Sequence, residues 1–133
     1  MIVYHAAKTI EAVYRIFDEM LIRQGRNING DVLTHVSLSP FQAGKFALDV
    51  IGADTNQAWI FELEIPDDTP LQTDPSGDAE NYGEGWKVSV NPILILKIHS
   101  ITHIPHVVEW ECKSNGEGSL PVNLMDLLAE SEL

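Results

Sequence analysis

His35-Val36-Ser37-Leu38-Ser39-Pro40-Phe41-Gln42-Ala43-Gly44-Lys45-Phe46-Ala47 is the stretch that decides the fold. Residues 33–38 are rich in β-branched and apolar side chains and predict a strand. Ser39 can cap a helix, and Pro40 suits the first helical position, where its missing N–H costs nothing. Gln42 stands where a capping box needs it. Phe41, Phe46, Ala47 and Val50 then fall near one helical face, and Gly52 stops the helix. A strand therefore runs directly into an amphipathic helix.

The same pattern extends in both directions. Residues 1–5 predict a short strand, and Thr9 caps a helix carrying Ile10, Val13, Tyr14, Phe17, Met20 and Leu21 on one face. Gly25 is the expected end of that helix. In residues 58–65, Trp59, Phe61, Leu63 and Ile65 alternate with Ala58, Ile60, Glu62 and Glu64, as in a strand lying on a core. Residues 66–85 form a long gap rich in Asp, Pro and Gly, expected to be mobile or ordered by a ligand or partner. Strands are expected at 86–90, 93–102 and 106–112, and a short helix after Pro121 through Val122, Leu124, Met125, Leu127 and Leu128. Two early helices followed by a run of strands predict an α+β fold with two N-terminal helices on a mixed or antiparallel sheet. The expected organisation is one domain over 1–112 and an acidic C-terminal tail over 113–133.

Twenty acidic against eight basic residues give a net charge of −12. That field repels phosphate backbones and argues against non-specific nucleic-acid binding. It suits solubility or docking on a basic protein surface. Residues 62–84 hold eight acidic residues and no basic one. The longest apolar run, Ile93-Leu94-Ile95-Leu96, is far short of a membrane span. The single cysteine, Cys112, cannot form an internal disulfide, and no signal peptide opens the chain. A cytoplasmic location is the expectation.

Three segments together resemble the ADP-ribosyltransferase superfamily, which includes the RNA 2'-phosphotransferases. They are Val3-Tyr4-His5 before a helix, the strand-to-helix stretch quoted above with its Leu38-Ser39 pair, and Trp59-Ile60-Phe61-Glu62-Leu63-Glu64-Ile65 followed, after a loop, by Tyr82-Gly83-Glu84-Gly85-Trp86-Lys87-Val88. The resemblance covers roughly residues 1–105. It departs from the family in two places. His5 is followed by Ala6-Ala7-Lys8 rather than Gly and Thr or Ser. Tyr82 stands two residues before Glu84, where enzymes that modify arginine keep an acid or amide.

The resemblance implies NAD as substrate, with ADP-ribose transferred to a macromolecular target. Cleavage of the nicotinamide–ribose bond passes through a cation-like ribose, which a nearby carboxylate stabilises. Glu84, between two glycines that admit close backbone approach, is the implied catalytic carboxylate. His5 is implied to hydrogen-bond the ribose hydroxyls, Tyr82 or Tyr4 to stack on nicotinamide, and Ser37 and Ser39 to line the pocket. Each has a plainer role available: a solvated loop acid, a strand-end histidine, a core aromatic, a helix cap. The alternative function is a non-enzymatic acidic inhibitor, of phage or mobile-element type, docking on a basic partner. His99, His103 and His106 are closely spaced, but three histidines on one strand and its turn rarely converge to tetrahedral geometry, so no metal is expected.

Overall fold

The computed structural model describes residues 1–49, 57–76, 79–107, 109–110 and 120–123. The elements among the described residues include β1 (Ile2–Ala7), α1 (Ile10–Glu19), β2 (Leu21–Ile22), β3 (Arg26–Ile28), β4 (Asp31–Ser37), α2 (Pro40–Asp49), β5 (Ala58–Glu64), β6 (Gln72–Thr73), α3 (Ala79–Tyr82), β7 (Trp86–Val90), β8 (Ile93–Leu94), β9 (Lys97–Ile104) and β10 (Val122–Asn123). The main sheet has the order β10-β9-β5-β1-β4-β7-β6, with β3 paired to β4, and β2 pairs separately with β8. The pairings are antiparallel. The fold is α+β, and no helix among the described residues is long and apolar enough to cross a membrane.

Strand alternation sorts the core into two layers. Val3, Ala7, Val36, Trp59, Phe61 and Leu63 face α1, meeting Val13 and Ile16. Ala6, Ala58, Ile60 and Ile104 face α2, meeting Ala43 and Ala47. Small residues on α2 bring that helix close to the sheet. Trp110 completes the layer: its ring stacks on Phe41 at 5.8 Å. It also covers Gly44, where a Cβ would stand 2.3 Å from the indole carbon Cζ3.

Several expectations are corrected. α1 ends at Met20, which takes the left-handed conformation at φ 53° and donates its N–H to the Ile16 carbonyl. Gly25 does not end the helix. It lets the chain pass close to β4, since a Cβ there would meet the Leu33 carbonyl oxygen at 2.8 Å. The buried stripe of α1 is Val13 and Ile16, whereas Tyr14 and Phe17 are 63% and 47% exposed. Apolar residues cover a wide arc of this helix, and periodicity could not say which edge of the arc meets the sheet.

The segment 106–112 is not a strand where it is described. Residues 107, 109 and 110 are helical, and Trp110 N–H donates to the His106 carbonyl. Val122 and Asn123 pair with His103 and Thr102, so the sheet runs past the boundary drawn at 112 and these two residues are strand rather than helix. The rest of the expected C-terminal helix, and Cys112, lie outside the described residues. Helix α3 falls inside the gap expected to be loop.

Gly44→Ala tests the α2 layer. Alanine is favoured over glycine in a helix by about 1 kcal/mol, but here it overpacks against Trp110, at a cost of about 1–3 kcal/mol. Urea titration is expected to show a net loss of stability. A gain would mean that the indole does not rest on Gly44.

Candidate functional site

Strand β1 is laddered to β5 from Ile2 to Ala7, and β4 is laddered to β7 from Leu33 to Ser37. Between them, β1 and β4 share the single pair Tyr4–Ser37. Beyond that pair the ladder lapses in the middle of the sheet, and the His5 imidazole takes the place of a backbone partner. Its Nδ1 lies 3.1 Å from the His35 carbonyl oxygen. A carbonyl only accepts, so Nδ1 carries the proton and Nε2 presents a lone pair. That Nε2 is buried and has no hydrogen-bond partner among the described residues.

Burial, only partly opposed by the bond to the His35 carbonyl, lowers the His5 pKa from 6.5 to about 4. The ring is therefore neutral at physiological pH. His5 lines a cavity of about 150 Å³ together with Gln24, Gly25, Arg26, His35 and Phe46.

The other wall is organised by Asp74, which is 3% exposed. Its Oδ2 accepts from His35 Nε2 at 3.0 Å, Trp86 Nε1 at 3.1 Å and Arg26 Nη2 at 3.2 Å. Its Oδ1 accepts from Ser76 N–H at 2.8 Å. Burial alone would raise this carboxyl, but the hydrogen bonds from Ser76 and Trp86 and the charge of His35 outweigh it and hold the pKa at about 2. His35 also stacks on Trp86, with ring centroids 5.0 Å apart. Asn91 donates to the Arg23 carbonyl and the Thr34 hydroxyl, at 2.6 and 2.8 Å, pinning the segment that carries Arg23 to Arg26 against β4. The centre of the long gap is bonded to the sheet through Asp74.

Of the candidate site residues Glu84, His5, Tyr4, Ser37, Ser39 and Tyr82, His5 alone lines this cavity. Tyr4 belongs to the α2 face, and its hydroxyl donates to Glu62 at 2.9 Å. Ser37 is buried and donates to the Ser39 carbonyl at 3.0 Å. Ser39 caps α2, its hydroxyl accepting from Phe41 N–H at 3.2 Å. Tyr82 packs against Trp86 at 4.7 Å and Phe46 at 5.9 Å.

Glu84 is exposed, in the turn that closes with Trp86 N–H on the Gly83 carbonyl. The room beside Gly83 and Gly85 is taken by the Gln42 carboxamide, which would lie 2.3 Å from a Cβ at position 85. Gln42 therefore reaches the glycine turn, and its Oε1 is buried without a hydrogen-bond partner among the described residues. His99 and His103 bond Glu64 and Gln57, each at 3.0 Å. The described residues contain no cluster of three metal-ligating side chains.

His35, Asp74 and Arg26 were missed in the sequence. Asp74-Pro75-Ser76 does carry a local signal, an aspartate positioned to accept the N–H two residues on. Its contacts with His35 and Trp86 have no such local mark.

Two measurements check this wall. Asp74→Asn replaces charge-assisted hydrogen bonds, each contributing about 1.5–3 kcal/mol, and is expected to lower unfolding stability by about 3 kcal/mol. The unfolded chain takes up the His5 proton near pH 6.5, the folded chain only near 4. The His5 contribution is therefore complete above pH 6.5 and falls as pH drops towards 4, by up to about 3 kcal/mol. His5→Gln should flatten that part of the stability–pH curve; an unchanged slope would refute the burial of a neutral ring.

A scan against models of known protein families finds no match, and searches of curated proteins and of solved structures find none.

Proposed function

We propose that this chain is a cytoplasmic, ADP-ribosyltransferase-like protein that takes the ribose–nicotinamide end of NAD into the gap beside His5 and modifies a macromolecular target, a protein with a basic surface being the favoured acceptor. One observation carries the proposal: a neutral, buried imidazole with an unused acceptor nitrogen lines a cavity opened in the centre of a sheet. A ribose hydroxyl supplies the donor that such a nitrogen lacks, and leaving a buried acceptor unmade costs about 1–3 kcal/mol. About 150 Å³ is below the usual range of roughly 300–1,000 Å³ for ligand pockets. It admits one ring-sized or sugar-sized group, with the remainder of the dinucleotide outside.

The reaction breaks the ribose C1'–nitrogen bond, the electron pair leaving with nicotinamide, and forms a bond from C1' to the acceptor. Positive charge on the ribose needs a carboxylate. Glu84 remains the candidate for that role from the resemblance; Asp74 is already committed to four donors.

Calorimetric titration of NAD, with a labelled transfer assay, tests this. Wild type should bind NAD, and His5→Ala should weaken binding roughly tenfold, about the loss of one hydrogen bond. Glu84→Gln should leave binding intact and lower turnover by an amount on the order of 3 kcal/mol. Absence of NAD binding at millimolar concentration would overturn the proposal. It would favour the acidic docking protein instead, which has in its support the exposed α1 stripe of Ile10, Tyr14 and Phe17 on a chain of net charge −12.

A further inference from the structure

The chain has eight basic residues, and its three arginines are Arg15, Arg23 and Arg26. All three, with Lys8, line two cavities. Lys8, Arg15 and Arg23 surround a cavity of about 300 Å³ floored by Ile16, and Arg26 lines the smaller one beside His5. Gln24 lines both. A protein with twenty acidic residues thus places three of its eight basic side chains around one cavity and a fourth in the other.

Gathering like charges is unfavourable unless something negative answers them. Within the fold, Glu19 bonds Arg23, and Asp74 bonds Arg26. Thr9 caps α1 by accepting the Ala12 N–H, and both residues line the larger cavity, while Glu11 places an acid in the same turn. Lys8 is partly buried there, and burial lowers its pKa. Arginine forks are suited to phosphoryl oxygens, which they bind bidentately. The acidic surroundings exclude a long nucleic-acid backbone and leave room for a short, compact anion.

We infer that the groove walled by Lys8, Arg15 and Arg23 is a phosphoryl-binding site, built for a mono- or diphosphate group on a small ligand. It rests on the cavity and its cations and stands whether or not His5 binds NAD. The phosphoryl group has two possible sources, the diphosphate of the dinucleotide itself or a phosphate carried by the acceptor.

Calorimetric titration of inorganic pyrophosphate into the full chain tests the site. Saturable binding that weakens as salt rises is expected, with Lys8→Gln/Arg15→Gln reducing affinity on the order of a hundredfold, tenfold for each cation removed. The double variant should melt at the wild-type temperature, since neither side chain forms the core. Lack of saturable binding by the wild type, or equal binding by a folded double variant, would overturn the inference. Should the double variant unfold, Arg15→Gln alone, at an exposed helix position, decides in the same way.

ADP-ribose then separates the sources. Competition with pyrophosphate assigns the groove to the dinucleotide; simultaneous binding assigns it to the acceptor; each outcome supports a phosphoryl site. Pyrophosphate binding without NAD binding would sink the transferase proposal and leave this one standing.

Discussion

Taking a carboxylate out of water costs several kcal/mol unless donors replace the lost hydration. Asp74 meets that demand with donors from four parts of the chain: His35 on β4, Arg26 on β3, Trp86 on β7 and the turn at Ser76. The consequence is mutual dependence. Asp74 ties the segment between β5 and β7 to the sheet, and the His35 ring is oriented because its Nε2–H is donated to Asp74. Trp86 and Phe46 then pack around a fixed imidazole. The cleft beside His5 inherits its shape from this one group.

Local chemistry was legible in the sequence, and pairing across distance was not. The caps at Thr9 and Ser39 were readable because each rests on a few neighbouring residues. The strand at 86–90 and the alternation of Trp59, Phe61 and Leu63 follow from side-chain type and period alone. The contacts of the long gap were not legible, for the opposite reason. Its composition is that of a loop, and its contacts with the sheet are made by one aspartate reaching residues 39 and 12 positions away. Gly83 and Gly85 were readable as points of close approach, but not that Gln42 is what approaches.

The candidate site was legible to a similar degree. His5 stood out as a histidine ending an apolar strand, and it does border a cavity. The lapse of the ladder between β1 and β4 is a property of two strands together, and no single segment encodes it. The collection of Lys8, Arg15 and Arg23 around one cavity is likewise invisible in a total charge of −12, which averages over the surface.

Two of the three tryptophans lie flat against histidines: Trp86 on His35 and Trp59 on His103, each with ring centroids 5.0 Å apart. Trp110 instead stacks on Phe41. An imidazole against an indole makes the emission of that indole responsive to the electronic state of its neighbour. Trp86 in addition gives its ring proton to Asp74. A chromophore therefore lies directly against His35, a lining residue of the cavity, and intrinsic fluorescence offers an optical record of changes at that imidazole with no label attached.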